Sequence, residues 1–134
     1  AMVPPTQACM GCHAVVKKDS PKLTAVRASW SSGNPVEWVR VHRLADYVFF
    51  DHSVHLAAGV GCVSCHGRVD QMDVVRQDQP LNMGWCLECH RNPTPNLRPK
   101  DQITNMTWTP TPDEAAQLAQ STLRGPEQCS GCHR

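Results

Sequence analysis

A chain of 134 residues with 13 basic and 12 acidic side chains has a formal charge of +1, which offers nucleic acid no basic face. No apolar run approaches the roughly 18–20 residues that cross a bilayer, so no transmembrane segment is expected. Aromatic residues make up only 5%, four Trp, two Phe and one Tyr, while prolines number 11. A core of protein side chains would show clearer apolar periodicity. Something else is expected to fill the centre of a single domain spanning residues 1–134.

The chain opens "AMVPP", which reads as a mature or trimmed start carrying neither signal nor anchor. Residues 1–20 contain "CMGCH" (Cys9–His13), and residues 21–33 read as a polar connector. In "PVEWVRVHRLADYVFF" the apolar Val36, Val39, Leu44 and Val48 predict a partly helical stretch. "FDHSVHLAAGVGCVSCH" follows, with His52 and His55 ahead of "CVSCH" (Cys62–His66). "CLECH" (Cys86–His90) begins 24 residues after Cys62, and residues 91–110 read as loop. The clearest helix is "TPDEAAQLAQSTLRGP". Thr111 is its N-cap, Pro112 its first helical residue, and Glu114 completes a capping box. Gly125 and Pro126 end it. Its small face, Ala115, Leu118, Ala119 and Thr122, suits close approach to a flat ring. "CSGCH" (Cys129–His133) closes the chain.

All eight cysteines fall in these four copies of C-x-x-C-H, the attachment sequence of c-type haem. Two thiols bond the two vinyl groups of one porphyrin, and a tight turn sets their separation. The next residue then lies beneath the ring, where an imidazole binds iron. Structural zinc also uses paired C-x-x-C, but needs no histidine after every pair. Disulfides leave the histidines unexplained as well. The pattern therefore predicts a tetrahaem c-type cytochrome with four covalent haems c on Cys9 and Cys12, Cys62 and Cys65, Cys86 and Cys89, and Cys129 and Cys132. The expected fold is haem-cored, mostly irregular loops with a few short α-helices and little or no β-sheet. Haem is attached outside the cytoplasm, which predicts a periplasmic location. Eight ionised propionates would take the charge from +1 to about −7 with ferrous iron and about −3 with ferric.

The proximal ligands are His13, His66, His90 and His133. Seven histidines leave three spare, His42, His52 and His55, for four distal positions. His52 and His55 are three apart, so on a helical turn they share a face and serve two different irons. The fourth iron takes methionine, a residue of another chain, water or nothing. Of the five methionines, Met10 sits inside a C-x-x-C, Met2 at a fraying end and Met72 in a polar turn. Met83, three residues before Cys86, packs near that haem's edge. Met106, in an irregular segment free to swing across, is the favoured ligand. A His/Met haem has a higher potential than bis-His neighbours.

"W-SSGNPVEWVRVHRLADYVFFDHSVHLAAGVGCVSCHGRVDQMDVV", "PLNMGWCLECHRNP" and the terminal "CSGCHR" resemble the multihaem cytochrome c subunit of alternative complex III. That membrane assembly oxidises quinol and passes electrons to periplasmic acceptors. The chain is also similar to the wider class III, c3/c7-like cytochromes c, in which an H-x-x-H supplies sixth ligands to two haems. The resemblance implies His42, His52 and His55 as distal ligands and favours Met106. It implies a soluble four-haem relative, or a fragment, of such a subunit. The expected activity is single-electron transfer with no catalytic residues. The expected partners are periplasmic cytochromes, iron–sulfur proteins or membrane redox complexes. The alternatives are a subunit of a quinol-oxidising complex and, through the ligand shortage, a multihaem oxyanion reductase with an open haem.

Overall fold

The structure, a computed structural model, describes residues 4–133. It divides into two compact units, residues 1–40 and residues 41–134. In the first, α1 (Thr6–His13) packs against α2 (Thr24–Ser32). The buried Ser29 joins them: its Oγ–H donates to the Asn34 carbonyl at 2.6 Å and accepts from the Thr6 hydroxyl at 2.7 Å. Arg27 Nη1 closes the intervening loop on the carbonyls of Lys18 and Ser20, at 2.7 and 2.9 Å. The stretch expected as a polar connector is thus largely helical. Pro21 opens a 3-10 turn, Pro21–Leu23, that runs into α2, and Gly33 stops the helix in a left-handed conformation. Ala, Ser and Trp replace the apolar stripe that would have signalled it.

In the second unit α3 (His52–Ala58), α4 (Val63–His66) and α5 (Met83–Arg91) are followed by α6 (Pro112–Ala119) and α7 (Cys129–Cys132). Asp51 caps α3 by accepting from Ser53 N at 2.7 Å, and Gly59 ends it at φ +89°. Asn82 caps α5 through Trp85 N. The capping box on α6 forms as predicted, but the helix stops at Ala119 with Gln120 as its C-cap, short of Gly125. Residues 35–50, expected to be partly helical, form no helix. Val48 instead makes an isolated antiparallel bridge to His133, and Phe49 N donates to the Cys132 carbonyl at 2.8 Å. Those ties, and the β-branched valines, outweigh a weak helical period.

Among the described residues there is no strand, only two isolated bridges. Among the described residues the buried hydrophobic side chains are Leu97 and Ile103. Both lie in the segment expected to be loop, which is punctuated by 3-10 turns at Thr94–Asn96 and Lys100–Gln102. Tyr47, Phe49, Phe50 and Val54 of the second unit stay largely exposed. The protein does not supply its own core, in keeping with the haem-cored fold class.

Candidate haem-binding sites

Each C-x-x-C-H lies on a helical turn. α1 and α5 contain theirs whole, α4 begins just after Cys62, and α7 ends just before His133. Cysteines three apart on such a turn present both sulfurs to one side. None of the eight is in a disulfide. Burial pushes the Cys65 thiol up to about 11, with the other cysteine sulfurs adding to it. Burial also raises Cys86 and Cys89. Among the described residues no three His, Cys, Asp or Glu side chains converge as a metal-ion site requires.

Three of the histidines are held with a common polarity. His13 Nδ1 bonds the Val16 carbonyl at 2.9 Å, His55 Nδ1 that of Asp51 at 2.8 Å, and His90 Nδ1 that of Pro126 at 2.7 Å. A carbonyl only accepts, so each Nδ1 carries the proton and each Nε2 keeps a free lone pair. That is the tautomer an iron ligand needs, with its outer partner already in place. Gly125 makes the His90 contact possible: a Cβ there would run into the imidazole, and Gly125 N also donates to the His90 carbonyl at 3.0 Å. Gly125 is therefore a seat for His90, not the helix terminator its sequence position suggested.

Helix α3 places its two histidines against the histidines of two different C-x-x-C-H motifs. His52 and His66 have ring centroids 6.3 Å apart with planes 7° from parallel. His55 and His90 are 6.2 Å apart at 36°. Two metal–nitrogen bonds of about 2 Å each, plus the distance from each nitrogen to its ring centre, require close to this spacing. The residues present thus fit an iron between each pair. Phe50 contacts both rings, its centroid 4.8 Å from His52 edge-on and 4.6 Å from His55 stacked. Nothing in the sequence marked Phe50 except its place before the H-x-x-H. Burial, then the facing His42 and His52, hold His66 below the usual imidazole range.

The other candidates are placed differently. His42 lies 4.7 Å from His66 at 78°, with Nε2 3.3 Å from His66 Nδ1. That gap is too short for an iron, so His42 does not share His66's metal. His133 faces Tyr47 at 5.6 Å, a partner that sequence reasoning missed. Met106 is half-buried in a turn after Asn105, whose Oδ1 accepts from Thr107 N at 3.1 Å. Met83 is largely exposed at the start of α5. Met2 lies outside the described residues.

The family model described as cytochrome c7 and related cytochrome c matches residues 48–134, more than half of the chain. No curated protein gives a significant match.

Proposed function

The chain belongs to the family of cytochrome c7 and related cytochromes c, and on that premise we propose that it is a periplasmic carrier passing single electrons through four closely packed haems in one domain spanning 1–134. Electron transfer through covalently bound haem c, and not catalysis, is the family's activity. When bound, the haems supply the redox chemistry, each iron taking up or releasing one electron. The chain's own residues attach, orient and tune. The eight cysteines form the thioethers. His13, His66, His90 and His133 are the proximal ligands. His52 and His66 would together hold one iron, and His55 and His90 another. His42 and Met106 serve the remaining irons.

The observation that carries this reading is the double pairing on α3, where histidines three residues apart meet different proximal rings at 6.3 and 6.2 Å. It makes Phe50–His66 a junction between two haems. Phe50 and the carbonyls of Asp51 and Pro126 set ring orientation, which governs the low-spin signature of each haem. Among the described residues no helix is long and apolar enough to cross a membrane. Residues 30–91 favour a second reading, an electron-transfer subunit of a quinol-oxidising complex, because the resemblance to the alternative complex III cytochrome is densest there. Retention of the tagged protein in a membrane complex would select that reading; a monodisperse isolated protein selects the free carrier.

The mass of the denatured holoprotein should exceed that of the polypeptide by four haems; a gain of three overturns the count. In a redox titration followed by EPR, one haem should titrate above the others with a His/Met signature, lost in Met106→Ala. Survival of that signature in the variant removes Met106 from the ligand set.

A further inference from the structure

The third C-x-x-C-H motif lies on α5, and the chain turns back soon after that helix ends. The turn is the 3-10 stretch Thr94–Asn96. Asn96 N donates to the Pro93 carbonyl at 2.8 Å and Leu97 N to that of Thr94 at 3.2 Å. From there the chain is clamped onto the backbone just ahead of the second motif. Val60 and Leu97 form an antiparallel bridge. Gly61 N donates to the Asn96 carbonyl at 3.1 Å, Arg98 N to that of Gly59 at 2.9 Å, and Cys62 N to that of Ile103 at 3.0 Å. Leu97 and Ile103 are buried beneath these bonds. The Arg98 side chain covers Gly61, where any Cβ would strike it.

Asn96 is engaged at both of its ends. Its backbone carbonyl holds Gly61 N, the residue before Cys62. Its side-chain Nδ2 donates to Cys89 Sγ at 3.4 Å. Asparagine in a turn commonly bonds its own backbone. Here the turn closes with backbone bonds alone, and the side chain reaches Cys89 instead. Both residues are half-buried, so water competes weakly for the bond. Cys89 Sγ is itself an atom of attachment, so the contact is made at the haem's own anchor, wherever the rest of the ring lies. A free thiol both donates and accepts. A thioether sulfur has no proton and only accepts. An attached haem therefore requires the N–H end of the amide, and that is the end Asn96 presents.

We propose that Asn96 is a positioning residue between the second and third haems, its amide holding the Cys89 thioether while its carbonyl holds Gly61. The tie fixes the attachment edge of one ring against the backbone that enters the other. Edge separation is the quantity on which electron tunnelling depends most steeply, and α3 ties the same two motifs through His52 and His55. The donated N–H also withdraws density from the sulfur, which favours the reduced state of the His55/His90 haem. The inference rests on the proposed haems at Cys62 and Cys65 and at Cys86 and Cys89.

The test uses the holoprotein with all haems attached. Asn96→Leu keeps the size of the side chain and removes the donor. Asn96→Asp removes the donor and keeps the shape, and serves where Asn96→Leu does not accumulate. In the reduced, diamagnetic protein, amide hydrogen exchange at Gly61 should quicken roughly fivefold in both variants, the loss of one net hydrogen bond. Exchange at Phe49 N, which is held by the Cys132 carbonyl of the fourth motif, should not change. In an EPR-monitored redox titration, Asn96→Leu should lower the reduced-to-oxidised ratio of the His55/His90 haem about threefold at fixed potential and leave the other haems alone. Asn96→Gln, which keeps an amide, should recover part of both effects. Unchanged exchange at Gly61 in Asn96→Leu and Asn96→Asp overturns the proposal. So does faster exchange at Gly61 and Phe49 alike, which assigns Asn96 to general stability. A His55/His90 potential unmoved in Asn96→Leu overturns the bond to the attached sulfur. A denatured mass one haem short, mapped to Cys86–Cys89, defeats the haem assignment itself; a full complement with silent Asn96 variants defeats only this inference.

Discussion

At the residue scale, the consequential contacts are those of the imidazoles. His52 and His55 share one helix yet meet different partners, His66 and His90. His52→Ala should therefore perturb the low-spin EPR signal of one haem and His55→Ala that of another. Convergence of both variants on one signal would sink the junction. Gly125 offers a separate test because a Cβ there meets the His90 ring. Gly125→Ala should destabilise the holoprotein by about 1–3 kcal/mol through overpacking. Thermal melts would measure that loss, and among the EPR signals only that of the His55/His90 haem should change. The same substitution at an ordinary helix terminator, which Gly125 resembles in the sequence, would leave that signal alone.

At the scale of elements, the caps decide which short helices hold. Asp51 holds the first turn of α3, and hydrogen bonds from Ser53 draw its carboxyl below the ordinary 3.8. A carboxylate whose folded pKa is depressed stabilises the fold above its unfolded value, and that contribution is lost as pH falls through the folded value. Acidification below about pH 4 should thus loosen α3 and disturb the His52 and His55 haem signals together. Asn caps a helix as well as Asp without titrating in this range. In Asp51→Asn the paired change should begin at lower pH than in the wild type, as followed by optical and EPR titration. On α6 the reciprocal bonds of Thr111 and Glu114 make Thr111→Ala cost about 1 kcal/mol in a denaturant melt. The haem signals should be unmoved, because α6 supplies no ligand.

At the scale of the molecule, the second unit is held by cross-ties from the C-x-x-C-H motifs to distant backbone more than by packed side chains. Cys62 N reaches Ile103, the His90 ring reaches Pro126, and Phe49 N reaches Cys132. Little apolar surface is removed from water by the polypeptide alone, with Leu97 and Ile103 its buried hydrophobics. Hydrophobic burial is the main term that offsets chain entropy. A chain produced without haem attachment should therefore show no cooperative thermal transition by circular dichroism and should be digested rapidly by protease. A cooperative melt of the haem-free chain would contradict a haem-built core.

The sequence by itself determined the chemistry. Its C-x-x-C-H motifs, with no cysteine left over, announce covalently bound haem c, in line with the family match, because the spacing of such a motif is local covalent geometry. The α6 capping box was legible for the same reason, since its reciprocal bonds join residues three apart. Tertiary structure decided everything that joins distant segments. It sent His52 and His55 to the rings of His66 and His90 respectively, and it turned Gly125 from a helix terminator into a seat for His90. It also kept residues 35–50 out of a helix and set Asn96 between Gly61 and Cys89. No local propensity encodes these outcomes, because each depends on which backbone happens to arrive opposite. In a chain whose interior is built around cofactors, few apolar periods remain in the sequence to announce it.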